Sequence, residues 1–206
     1  AAVILDGSLV ASVSPYQMAC NGLDALAQAI ESTWAAGSTE RSREYSFRAV
    51  SLCAKYLKEV LKPDASKDAL QAMMEASNLA GRAINISKTT SAHAWSYAIT
   101  SHYNIPHGHA VWLTLPRIFE IHARASADIV TDPRGIDHFN AIMTRLMKIL
   151  GTVSPEGSSN HLKSYLKALN VESDIAKIGT NTAKQRKFLS KQVNMQRMSN
   201  NPVGLT

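Results

Sequence analysis

Apolar residues recur at spacings of three and four along most of the chain, and breakers are few. Leu23, Leu26, Ile30 and Trp34 form one such stripe, with Cys20, Asp24 and Gln28 four apart beside it. Just upstream, Ser14, Pro15 and Gln17 read as an N-cap, a first-turn proline and a capping-box partner, so the spacing predicts a helix from there to Trp34. After a turn over Ala35 to Thr39, a second helix is predicted from about Glu40 to Leu61, with Phe47, Val50, Ala54, Leu57 and Leu61 inward and Pro63 closing it. A third is predicted to start after Ser66 and to carry Leu70, Met73, Met74, Ser77 and Ala80 toward Ile84. Its methionines fill gaps in a core, and Ala76, Ala80 and Gly81 are small enough for close helix approach.

The connector Asn85 to Thr90 delivers the chain to a segment without breakers, Ser91 to Tyr103, which Thr90 or Ser91 can cap. Ile105-Pro106 ends that helix and His107 begins another, which runs from Gly108 to Pro116. A further helix from about Arg117 carries Ile118, Phe119 and Ile121, with His122 beside them as a structural residue. Thr131 to Gly135 predicts a polar loop, Ile136 to Leu150 a helix, Gly151 to Ser159 a flexible connection, and His161 to Leu169 and Thr182 to Ser190 two more helices before an irregular tail. The opening Ala1 to Gly7 is the exception: it predicts a short buried strand with nothing here to pair with, the cut edge or linker of a missing N-terminal domain. The fold class expected is all-α, one irregular helical bundle over residues 1–206.

Composition narrows the function. No G-x-G-x-x-G follows a strand, so most of any nucleotide site lies outside this chain. Two cysteines, Cys20 and Cys53, sit in apolar helical patterns as small core residues, which suits a reducing compartment. With no signal peptide and no apolar run of spanning length, the expected location is cytoplasmic and no membrane partner is expected. The net charge of +6 is concentrated at Lys177, Lys184, Arg186, Lys187, Lys191 and Arg197, without interleaved aromatics, and reads as a solvated face rather than a nucleic-acid surface.

Chemistry concentrates between Ser91 and Val111, where His93, His102, His107 and His109 are four of the chain's seven histidines. Imidazoles on either side of a short turn can converge on a divalent ion or a polarised oxygen. A second source is Asp24, a carboxylate among small residues near an apolar flank. It either meets a cation from elsewhere in the fold or caps local backbone.

The segment Gly22 to Ser32, His93, the run Pro106-His107-Gly108 and the closing Asn194 to Pro202 together resemble the iron-containing (group III) alcohol dehydrogenases over essentially the whole chain. The resemblance implies the C-terminal helical, metal-binding (dehydroquinate synthase-like) domain of a two-domain enzyme whose Rossmann-like domain lies upstream. It implies metal ligands at Asp24, His93 and His107. The family's second ligand, a histidine four after the aspartate, falls on Gln28, a weaker neutral donor, with His109 or water available to complete the shell. A family histidine on the proton path falls on Tyr97, and Tyr97 and His109 are the candidate catalytic groups. Fe(II) or Zn(II) and a nicotinamide cofactor, NAD(H) or NADP(H), bound mainly by the missing domain, are the cofactors implied.

The implied reaction interconverts a small alcohol and its aldehyde. The residues around Lys88 to Tyr97 and Ile105 to Ala110 look closest to members that reduce small aldehydes bearing an anionic group such as a phosphonate or carboxylate, phosphonoacetaldehyde reductases among them. The other partners implied are the absent domain and a second copy in a homodimer. Two alternatives stay open: a member with a decayed metal site serving as a structural or interaction module, favoured by Gln28 and Tyr97, and a basic nucleic-acid-binding helical domain, favoured only by net charge.

Overall fold

A computed structural model describes residues 2–205. Among them are ten α-helices: α1 (Pro15–Trp34), α2 (Glu40–Tyr56), α3 (Lys67–Ser87), α4 (Ser91–Tyr103), α5 (His107–Trp112), α6 (Leu115–Ala123), α7 (Ile136–Ile149), α8 (Pro155–Ala168), α9 (Ala183–Ser190) and α10 (Met195–Met198). There is no sheet among the described residues, only an isolated antiparallel bridge between Val130 and Val203. The fold is all-α.

Helix α1 is the axis. It packs against α2, α3, α5 and α7, and Leu23, Leu26, Ile30 and Trp34 are all fully buried. Its start follows from local chemistry: Ser14 Oγ accepts from Gln17 N and Pro15 occupies the first turn. The reciprocal half of the capping box does not form, because the Gln17 amide reaches along the helix to Asn21 Oδ1 instead. At the other end, Arg134 donates to Ala35 O and Ser38 O while its guanidinium is held by Asp132. The carbonyls leaving α1 are thereby satisfied from the polar loop after α6.

Several elements depart from the periodicity reading. Ala2 to Asp6 are not a buried strand. Val3 and Ile4 are 70 % and 92 % exposed, and Gly7–Val10 form a 3-10 turn capped by Asp6; Ala1 lies outside the described residues. Helix α2 stops at Tyr56 rather than Leu61, although Leu57 and Val60 remain buried in the turns that follow. In α3, Ser77 is exposed and the buried line runs instead through Met73, Ala76, Leu79, Ala80 and Ala83. Gly81 faces open space, so it serves no close approach. The flexible connection expected over 151–159 is half helix. Ser154 accepts from Gly157 N, Pro155 takes the first turn, and Ser158 and Ser159 are buried on α8. That Ser-Pro-Glu start carried the same signal as the one heading α1.

The tail is less irregular than expected. Asn194 caps the single turn of α10, and Asn194 N donates to Ala94 O. Asn200 is a staple: its Oδ1 accepts from Gly37 N, and its Nδ2 donates to Ser87 O and Thr89 O. The end of the chain thus clamps the α1–α2 turn to the α3–α4 connector. Both cysteines are buried and unbridged, and desolvation pushes the Cys53 thiol up to about 12, as expected of an inert core residue.

Candidate metal centre

The site forms where α1, α4 and α5 meet. On an α-helix of about 100° per residue, Asp24, Gln28 and Glu31 share one face of α1. Helix α5 lies against that face because of one residue. A Cβ on Gly108 would sit 2.0 Å from Cys20 O and 3.0 Å from Asp24 Cβ. Only glycine permits this approach, which brings the preceding residue, His107, to Asp24.

Glu31 organises the other wall. Its side chain is inaccessible to solvent, and its carboxylate accepts from Thr90 N, Thr90 Oγ1 and Ala92 N at 3.2, 2.8 and 2.7 Å. It is therefore the cap of α4, supplied from a different helix, where the sequence pointed to Thr90 or Ser91. Thr90 instead receives Trp34 Nε1 on its hydroxyl. The same carboxylate lies 2.5 Å from His93 Nδ1. Burial opposes charge on Glu31, but His93 and Thr90 outweigh it and hold the carboxyl below its ordinary range. This pins the His93 ring and turns Nε2 toward Asp24 Oδ1, 3.4 Å away.

That approach is not aligned as a hydrogen bond. Asp24 Oδ1 and His93 Nε2 are both buried without a hydrogen-bond partner. His107 Nε2 is 3.9 Å from the same oxygen, and one donor atom from each of the three residues falls within 4.8 Å of the others. Two buried atoms without hydrogen-bond partners and a second imidazole converging at this spacing suit one divalent ion, whose N and O ligands sit roughly 2.0–2.2 Å from it once His93 Nε2 has given up its proton. The donor set fits the metal that the resemblance implies.

The protonation states are set by the same neighbours. Burial disfavours the His93 imidazolium, but the carboxylates of Glu31 and Asp24 more than offset it and lift its pKa to about 9. Burial lowers that of His107, opposed by Asp24 and reinforced by His93. Without an ion, then, the raised pKa favours a protonated His93 between the two carboxylates, and the lowered one favours a neutral His107 at pH 7.

The other residues singled out by sequence divide cleanly. Gln28 is at the site, but its Nε2 donates to Asp24 Oδ2 at 2.8 Å. Tyr97 stacks on His107 with ring centroids 5.5 Å apart and is 38 % exposed. His109 is not brought there. Its Nδ1 pairs with Tyr16 OH at 3.0 Å and its Nε2 donates to Glu172 O at 2.6 Å, on the opposite side of α5. Two residues of helix rotate it about 200° from His107, which a sequence cluster conceals. His102 packs on Phe188. His122 is a core residue between Trp34 and Phe139, driven down to about 4 by burial against the weaker pull of Glu31 and Asn201.

A cavity of about 360 Å³ opens beside the three ligand candidates, lined among others by Gln28, Lys88, Thr89, Tyr97 and Arg197. Arg197 corrects the reading of the basic run as a purely solvated face: α10 carries it back to the cavity. Glu31 went unnoticed in the sequence, though its position seven after Asp24, two turns along the same face, was a usable signal.

The chain is 34 % identical over 150 residues, 73 % of its length, to phosphonoacetaldehyde reductase of Streptomyces viridochromogenes, covering 38 % of that protein. It is 29 % identical over 115 residues, 56 % of its length, to long-chain-alcohol dehydrogenase 1 of Geobacillus thermodenitrificans, of which it covers 29 %. The structure superposes on sulfoacetaldehyde reductase from Bifidobacterium kashiwanohense, solved in complex with NAD+, with a TM-score of 0.82 at 29 % identity; the match covers 98 % of this chain and 50 % of that one. An alcohol dehydrogenase from Oenococcus oeni shares the fold, with a TM-score of 0.83 at 21 % identity over 97 % of this chain and 51 % of that one. The chain thus spans about half of the length of these proteins, or less. Residues 18–206 match the C-terminal part of the Fe-containing alcohol dehydrogenase family, and the chain belongs to that family.

Proposed function

We propose that this chain is the metal-and-substrate half of an oxidoreductase that interconverts a small alcohol and its aldehyde. The observation that carries the proposal is the convergence of Asp24 Oδ1, His93 Nε2 and His107 Nε2, two of them buried without partners, on the wall of an open cavity. A bound Fe(II) or Zn(II) supplies Lewis acidity toward an alcohol or carbonyl oxygen. The chain's own residues do the rest. Glu31 fixes the His93 ring, Gly108 sets the position of His107, and Gln28 orients the second Asp24 oxygen. Tyr97, stacked on His107 at the cavity mouth, offers a phenol within the same cleft for passing a proton to or from solvent.

The hydride partner in this reading is a nicotinamide nucleotide, NAD(H) or NADP(H), bound mainly outside these residues, because they contain no phosphate-binding glycine loop. Support comes from a relative named for phosphonoacetaldehyde reduction and a structural neighbour solved with NAD+. The test is to purify the intact protein, measure its bound metal, and follow oxidation of NADH and NADPH with short aldehydes. Loss of turnover in Asp24→Ala and His107→Ala, each still folded, supports the reading. An intact protein that turns over no aldehyde when loaded with either Fe(II) or Zn(II) sinks it. The alternative of a structural module with a decayed site rests on Gln28 and Tyr97, and the Gln28 amide nitrogen here donates to Asp24. The same metal measurement separates the two.

A further inference from the structure

Lys88 ends α3 with φ 61° and ψ −179°. This is a region that glycine enters freely and a side chain enters only under strain. Asn104 and Asn170 also have positive φ, but asparagine tolerates it, and Asn104 sits in an ordinary left-handed cap. A lysine at such a position is unusual. The surrounding chain holds it there: Asn200 Nδ2 donates to the carbonyls on either side, Ser87 O at 2.8 Å and Thr89 O at 3.0 Å. A glycine would make the same turn without strain, so the turn itself does not account for the side chain.

The side chain lines the cavity of the metal centre. Its ammonium has one neutral partner, Asn85 O at 3.1 Å, and no carboxylate. Arg197 lines the same cavity, and its guanidinium makes no ion pair or hydrogen bond among the described residues. Thr89, a third lining residue, is 4 % exposed, yet its hydroxyl is buried without a partner. Lys88, Arg197 and Thr89 thus line the same cavity as His93 and His107, and neither cation is paired with a carboxylate among the described residues. A buried hydroxyl without a partner is a cost to the fold.

We infer that Lys88, Arg197 and Thr89 form an anion subsite that holds the charged end of a short aldehyde bearing a terminal phosphonate or sulfonate, while its carbonyl end faces His93 and His107. The assignment rests on the oxidoreductase reading above and deepens it by naming what selects the substrate. Lys88 supplies a point charge, Arg197 a planar fork of donors, and Thr89 a fixed hydroxyl. The backbone strain at Lys88 positions the charge.

The experiment compares wild type with Lys88→Gly, Lys88→Arg and Arg197→Ala in the intact, metal-loaded protein. Steady-state rates are measured for phosphonoacetaldehyde, sulfoacetaldehyde and uncharged propanal, and calorimetry follows binding of 2-hydroxyethylphosphonate. In Lys88→Gly the ratio of kcat/KM for the charged aldehydes to that for propanal should fall at least tenfold. Thermal stability should not fall, because glycine relieves the turn. Lys88→Arg should restore most of the ratio, and Arg197→Ala should lower it. The two charged aldehydes separate phosphonate from sulfonate preference. A ratio that stays within twofold of wild type in both Lys88→Gly and Arg197→Ala overturns the subsite, as does hydroxyethylphosphonate binding that is absent or indifferent to both. Absent turnover of every aldehyde, with binding still weakened tenfold in Lys88→Gly, would overturn the oxidoreductase reading and uphold the subsite.

Discussion

The two faces of α5 carry the same residue type to opposite ends. His107 faces α1 and leaves Nε2 pointing at an acid with an unfilled lone pair, while His109 faces Tyr16 and Glu172 and spends both nitrogens on them. Both lie in one six-residue helix, and both fall in the cluster of histidines that the sequence marks as chemical. The difference shows that a histidine becomes a candidate ligand through what its neighbours leave unmet. A buried imidazole with two good hydrogen bonds has no capacity left. A pair of orphaned atoms such as His93 Nε2 and Asp24 Oδ1 is a cost to the fold that a cation would remove.

The largest effect should come from the acid behind His93. Glu31→Ala removes the partner of a buried, protonated imidazole and three donors at the start of α4. It should cost about 3–5 kcal/mol of stability, read as a lowered midpoint in urea unfolding. Glu31→Gln, which keeps the shape, should cost less stability but still weaken metal binding 10- to 100-fold through the His93 ring. A stable Glu31→Ala protein with wild-type metal affinity would show that Glu31 orients nothing.

The contrast within α5 can be tested directly. His107→Ala should weaken metal binding by more than about 100-fold, or roughly 3 kcal/mol, and should leave stability without metal near wild type because the ring is partly exposed. His109→Ala should do the reverse, lowering stability by about 1–3 kcal/mol through the stranded Tyr16 hydroxyl and Glu172 carbonyl while leaving the metal in place. Chelator competition and thermal unfolding on the two variants decide the matter, and matching effects in both would erase the distinction.

Gln28→His places an imidazole where the amide now bonds Asp24 Oδ2. It should tighten binding of Zn(II) by about 1–3 kcal/mol, since imidazole is the better donor for such ions. Equal affinities for the two proteins would mean that position 28 only orients Asp24.

The same pair of acids sets a pH dependence. His93 must lose its proton to bind an ion, and its raised pKa of about 9 places that loss above neutrality. Metal affinity should therefore rise about tenfold per pH unit from near 6.5 up to about 9 and flatten beyond it. The metal-free protein should behave oppositely. The His93 contribution is complete below the unfolded histidine pKa of about 6.5 and is lost as pH rises through 9, so its melting point should fall across that window. A flat affinity profile would mean that His93 is neutral in the folded chain.

Most of the fold was legible from local chemistry. The starts of α1, α2, α3 and α9 follow caps and prolines that act within four residues, and the stripe from Leu23 to Trp34 is buried as its spacing demands. Structure and periodicity part company in three places. Helix α2 ends early although Leu57 and Val60 stay in the core, Ser154-Pro155 start a helix inside a stretch rich in serine and glycine, and Ser77 lies outside the buried stripe of α3.

By itself the sequence determined which residue types were available and at what periods: an all-helical chain, an aspartate and two histidines spaced as in iron-containing alcohol dehydrogenases, and a glycine after the second histidine. Only the tertiary structure decided which of these meet. Glu31 becomes the cap of a helix sixty residues away, Arg197 leaves the solvated basic run for the cavity, Lys88 is held strained at its edge, and His109 turns away from the site. The physical reason is range. Caps, turns and amphipathic periods are satisfied within one or two helical turns and so are written locally. The pairing of a buried charge or lone pair is settled only when all elements are packed and each polar group has taken whichever partner the fold left within reach.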